Sequence, residues 1–166
     1  MNAAWSYFWP VFTAGLLVGA ICGLVAFRRR SKRNLALVVG IVFSIALAAA
    51  WHGPLGAADR FASQVERTAR ATLNNNEIPQ VTAHLHHGPL TRRLALSGEA
   101  DDFQRSELVR IMGGLPGVSK ANWSGGDGGL PLIVEACIVA AAGFLLGLLL
   151  AYLVELRRRY NAQWKW

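Results

Sequence analysis

Three long apolar runs and one mixed segment divide this chain of 166 residues. Trp5 to Phe27 is 23 residues without a charge, and Leu35 to Trp51 is 17 without a charge. Leu132 to Val154 is 23 residues whose single charge is Glu135. A helix rises about 1.5 Å per residue, so about 20 residues cross a hydrocarbon core of roughly 30 Å. The first and third runs are long enough to span with some tilt. The second is at the short limit and must draw Asn34 or His52 into its ends. A run of that length also suits a buried helix of a soluble protein, but its chain neighbours are spans or basic charge. The expected fold class is therefore membrane α-helical, with three transmembrane helices, plus a small α+β domain. The expected organisation is a two-helix transmembrane hairpin over 1–52, a mixed domain over 53–123, a Gly-rich linker over 124–130, and a third span with a basic tail over 131–166.

The mixed segment changes period along its length. Phe61, Val65, Thr68, Ala69 and Thr72 recur at helical spacing within Ala58–Leu73, and Asn74–Asn76 closes that helix. Gln80–His86 alternates, with Val81, Ala83 and Leu85 on one face and Thr82, His84 and His86 on the other. His87–Gly88–Pro89 turns the chain. Leu90–Ser97 alternates again, with Arg92 sharing a face with Leu90, Leu94 and Leu96. Asp101 or Asp102 can cap a second helix lined by Leu108, Ile111, Met112 and Leu115. Pro116–Gly117 leads into a last strand, Val118–Trp123. The predicted order is α-β-β-α-β, with both helices on one face of a three-stranded sheet. Gly53–Gly56 breaks the second span, and Pro131 suits the first turn of the third.

Charge adds an orientation. The chain holds 17 Lys and Arg against 10 Asp and Glu, for a net charge of +7. Arg28, Arg29, Arg30, Lys32 and Arg33 follow the first run, and Arg157, Arg158, Arg159 and Lys165 follow the last. Gly53–Leu130 holds eight acidic and eight basic residues, so it carries no net charge. A surplus placed only at the ends of spans is a topology signal, not a nucleic-acid footprint. With both clusters cytoplasmic, the N-terminus is outside, the mixed domain is outside and the C-terminus is inside. Trp5, Trp9 and Trp51 then fall in the outer interfacial belt, and Tyr160, Trp164 and Trp166 in the inner one. The basic tail from Glu155 suits an anionic leaflet. The first run is not a signal peptide by pattern, because its basic residues follow it. Cys22 and Cys137 sit at different depths of their runs, which reads as two apolar fillers and not as a disulfide.

Small residues recur every four positions in each run: Gly15, Gly19 and Gly23; Gly40, Ser44 and Ala48; Gly143, Gly147 and Ala151. Such stripes let backbones approach closely where lipid removes the hydrophobic drive. With few inward faces among three helices, at least one stripe is expected to meet another subunit.

Candidate chemistry is sparse. His84 and His86 project from one strand face, which makes them the metal candidates, although no cysteine or carboxylate near them in sequence completes a site. Solvent-facing histidines are the simpler reading. Glu135 lies one helical turn past Pro131, about 6 Å into the third span. A carboxylate there marks either a partner contact or a residue that reaches the outer water. The sequence contains no nucleophile constellation, phosphate loop or paired carboxylate, so neither an enzyme nor a cofactor is expected.

Leu96–Ser97–Gly98–Glu99–Ala100, then Arg105, then Leu115–Pro116–Gly117–Val118, then Asn122 carry a resemblance to the BON domain of bacterial envelope proteins. It covers about Ala58 to Trp123, two fifths of the chain. Two departures are a hairpin, His86 to Arg92, that reads as long, and Phe103–Gln104 where small residues are common. The resemblance implies a periplasmic domain that binds phospholipid or partner proteins, without catalysis. The expected protein is an accessory or scaffold subunit of a larger bacterial inner-membrane complex. The alternative is a stand-alone membrane-anchored protein that binds lipid or senses envelope stress. The expected partners are membrane lipids and other subunits, with no nucleic acid.

Overall fold

The computed structural model describes residues 2–28, 33–123 and 129–163. Among them the elements run α1 (Ala3–Arg28), α2 (Arg33–His52), α3 (Ala57–Asn75), β1 (Val81–His87), β2 (Leu90–Gly98), α4 (Asp102–Gly113), β3 (Lys120–Trp123) and α5 (Leu132–Gln163). They form two compact units: Met1–Tyr7 with Gly56–Glu135, and Phe8–Leu55 with Ala136–Trp166.

The second unit is helical. Helices α1, α2 and α5 are each long and apolar enough to cross a membrane, so the chain is a membrane protein. Asn34 and His52 are both drawn into α2, and with Arg33 the helix reaches 20 residues. Helix α5 continues past the apolar run to Gln163. The large side chains Leu17, Ile21, Val38, Val42, Phe43, Leu145 and Leu149 point outward, where lipid replaces water.

The small-residue stripes face one another inside this unit. A methyl group at Gly15 would collide with the Ala140 carbonyl, and one at Gly19 with the Phe144 carbonyl. From the opposite side, methyl groups at Gly143 and Gly147 would collide with the Phe12 and Leu16 carbonyls. At Gly23 a Cβ would come within 2.6 Å of Ala151 Cβ. The only buried residues of α2 are its stripe, Gly40, Ser44 and Ala48. A Cβ at Gly40 would lie 2.7 Å from Phe144 Cε2 and 2.8 Å from Cys22 Sγ. The Ser44 hydroxyl donates to the Gly40 carbonyl at 2.9 Å, which satisfies it without a neighbour. The expectation that one stripe would meet another subunit is therefore replaced. Each stripe closes on its own chain, because small residues on facing helices let the backbones approach closely.

The first unit contains α3, β1, β2, α4 and β3, the α-β-β-α-β order. The sheet runs β1-β2-β3, with β1 and β2 antiparallel and β2 and β3 parallel. Helix α4 supplies the crossover that a parallel pair requires. Val81, Ala83 and Leu85 of β1, Leu94 and Leu96 of β2, and Ala121 of β3 are buried on one face. The register places Leu85 opposite Leu94 and Leu94 opposite Ala121, so these side chains form continuous rows. Phe61, Val65, Ala69 and Leu73 of α3 and Leu108 and Met112 of α4 cover that face. Asp101 caps α4: its carboxylate accepts the Gln104 N–H at 2.7 Å, and the Gln104 side chain returns to the Asp101 N–H at 3.3 Å.

Four expectations shift. Thr68 is exposed and Thr72 half-buried, each hydroxyl bonding the carbonyl four residues back, while Ala62 and Leu73 take the buried places. The hairpin is tight, not long: His87 pairs with Leu90 across Gly88–Pro89. The last strand begins at Lys120, because Val118 is held by a turn to the Leu115 carbonyl and Ser119 N–H donates to the Arg92 carbonyl. Pro131 precedes the helix it was expected to begin, and its carbonyl accepts from Val134 and Glu135.

Candidate functional site

Arg92 stands on the apolar face of β2, where a guanidinium needs partners. It finds two. Its Nε donates to the Gly117 carbonyl at 2.9 Å, and its Nη1 meets Glu135 Oε2 at 3.0 Å. Both side chains of the ion pair are mostly covered, at 25% and 21% exposed, so the pair is less screened than a surface one. Gly117 reaches this geometry at φ +102, and a Cβ there would press on Val65 Cγ2 at 3.0 Å. Thr91, next to Arg92, is buried and bridges Pro131. The carboxylate of Glu135 also lies in the first turn of α5, where negative charge is favoured. Glu135 is thus neither a lone intramembrane acid nor a free end in water. It joins β2 to the start of α5 through an arginine 43 residues away. The sequence held the signal: one arginine on a strand face of leucines, and one carboxylate in an apolar run.

A second cluster gathers on Glu66 of α3. Its Oε1 accepts the Leu85 N–H at 3.0 Å and lies 3.7 Å from His84 Nδ1 and 3.4 Å from His87 Nε2. The sequence paired His84 with His86; the structure pairs His84 with Glu66 and His87 instead. The reason is an irregular register between Leu85 and His87, which re-aims the end of the strand. Among the described residues, no group of three or more His, Cys, Asp or Glu side chains is set to hold a metal ion. The contact to Leu85 has a different use. Strand β1 is a sheet edge, and a carboxylate on its outward N–H blocks pairing with a further strand.

Among the described residues, no helix packs on the opposite face of the sheet, and only the Gly129–Pro131 stretch lies against its Thr91 and Arg93 end. Register places Thr82 beside Ser97, His84 beside Ala95, Ala95 beside Asn122, and Arg93 beside Lys120. These side chains are polar apart from Ala95, and none of them is buried. On α4, Arg105 sits 5.4 Å over the Trp123 ring, and Phe103 is 75% exposed. Arg110 donates to Glu107 at 2.7 Å, and this hydrogen bond holds the exposed Glu107 carboxyl below the usual carboxylate range.

The topology residues fall at helix ends. Arg28 ends α1, Arg33 begins α2, and Arg157, Arg158 and Arg159 lie on α5. Arg29, Arg30, Lys32, Trp164, Lys165, Trp166 and linker residues 124–128 lie outside the described residues. No protein-family model, curated protein or solved structure matches the chain.

Proposed function

We propose that the chain is an accessory or scaffold subunit of a larger bacterial inner-membrane complex of respiratory, photosynthetic or transport type. The carrying observation is the open sheet face, a polar surface of mixed character on a unit whose segment has no net charge. The face itself places Arg93 beside Lys120, but the segment as a whole is neutral, so its attraction to an anionic leaflet is local and screened, and the polar surface suits a shaped protein partner. The α-β-β-α-β order, with Ser97–Gly98 and Pro116–Gly117 at its turns, supports the BON-like reading of this unit. A domain of about 65 residues is marginal alone, which favours a neighbour that steadies it. Because the glycine stripes close on their own chain, docking in the bilayer falls to the outward faces of the spans.

The orientation proposed is a periplasmic N-terminus and α/β unit with a cytoplasmic C-terminus, from the basic residues at the other helix ends. A reporter fused after Gly126 is expected to be active only in the periplasm, and cytoplasmic activity there would overturn the orientation. Gentle solubilisation of native membranes tests the role. Stoichiometric recovery with one defined complex, lost in Ala95→Arg on the open face, supports the subunit. Recovery alone with lipid supports the stand-alone alternative.

A further inference from the structure

The helical unit holds a cavity of about 230 Å³ at its basic end. Its walls come from the last turn of α1, the first residue of α2 and the late turns of α5. Phe27, Tyr152 and Leu156 supply the apolar side, with the Phe27 and Tyr152 rings 5.6 Å apart. Arg33, Arg159 and Glu155 supply the charged side. Glu155 is matched within the helix: its Oε1 accepts from Arg159 Nε at 3.0 Å. That bond uses one donor of Arg159, and a guanidinium has five. Arg33 pairs with no carboxylate among the described residues. The lining therefore carries a net charge of one positive unit beside an aromatic wall.

We propose that this cavity holds the phosphodiester of an anionic glycerophospholipid. Arg33 and the terminal amines of Arg159 pair with the phosphate oxygens. One negative phosphodiester balances the lining charge. The volume is several times the ~30 Å³ share of one water, enough for a headgroup phosphate and part of its glycerol but not for acyl chains. Those chains would follow Phe27 and Leu156 onto the apolar outer faces of the spans. A free phosphate would leave the apolar wall unused. Basic pockets between spans on the cytoplasmic side suit this chemistry. The inference rests on the membrane-spanning character of the three helices and holds whether the chain is a subunit or stands alone.

Native mass spectrometry of the full chain in mild detergent tests it, with dioleoylphosphatidylglycerol or dioleoylphosphatidylcholine added. The wild type is expected to retain phosphatidylglycerol at about tenfold lower concentration than phosphatidylcholine. The double variant Arg33→Gln/Arg159→Gln is expected to lose about tenfold in phosphatidylglycerol retention. Arg157→Gln/Arg158→Gln removes the same charge outside the cavity and is expected to stay within about twofold. Glu155→Gln removes the one negative charge and is expected to strengthen retention, a direction that misfolding does not imitate. Equal losses in the two double variants would reduce the effect to diffuse attraction and overturn the site. So would a wild type without preference between the lipids, weaker retention in Glu155→Gln, or displacement of the lipid by inorganic phosphate at matched concentration.

Discussion

The two units of this chain achieve close packing by opposite means. In the α/β unit the interior is filled: Leu94, Leu96, Leu108 and Met112 are fully buried, and burial of apolar surface from water holds them. In the helical unit the interior is emptied: Gly15, Gly19, Gly143 and Gly147 let carbonyls of one helix approach the backbone of another. Water drives the first arrangement, and lipid makes the second necessary, because outward leucines gain nothing by turning inward. The same substitution thus has opposite meanings in the two regions. Alanine removes needed atoms from one and adds forbidden atoms to the other.

The sharpest way to break this contrast is to place alanine on each side of it. Leu94→Ala opens a cavity between β1 and β3 and is expected to cost about 2–5 kcal/mol, read as a shift in denaturant or thermal unfolding. Gly19→Ala drives a methyl group at the Phe144 carbonyl, so helices must part, and the expected loss is about 1–3 kcal/mol. Gly53→Ala is the control: its Cβ would meet only the Ala49 carbonyl at 3.7 Å, and it is expected to stay within about 0.5 kcal/mol. If Gly19→Ala behaved like Gly53→Ala, the interlocked helices would be wrong.

The ion pair comes next in size. Glu135→Gln keeps shape and removes charge from a mostly covered pair, for an expected loss of about 1 kcal/mol. A double-mutant cycle with Arg92→Gln should show most of that loss as coupling, and additivity within error would dissolve the link between β2 and α5. The smallest effect is on α4. Arg110 lowers the Glu107 pKa, so the pair stabilises above the ordinary carboxylate pKa. The benefit fades as pH falls through the lowered one. Arg110→Gln should flatten this slight acid dependence, and a larger dependence in the variant would reverse the assignment.

Much of this architecture was legible in the sequence. The three spans, the stripes, the alternation of β1 and the Asp101 cap all follow from local rules of period and capping, and each appears where those rules put it. What escaped is what depends on distant partners. Glu135 reads as isolated until β2 brings Arg92 beside it. His84 reads as paired with His86 until a register irregularity and Glu66 of α3 intervene. The direction of the glycine stripes was also open, since spacing gives a face of a helix but not the helix that it meets.

That last point is the centre of the account, since docking passes to other surfaces only if the stripes close within the chain. Gly40 decides it, because a side chain there would lie against Cys22 of the same chain. Oxidation of a Gly40→Cys/Cys137→Ala variant in native membranes measures the contact directly. The account predicts a disulfide between Cys22 and the new cysteine within one chain, seen as a faster-migrating monomer. A disulfide-linked dimer, or an adduct with another subunit and no internal crosslink, would contradict it.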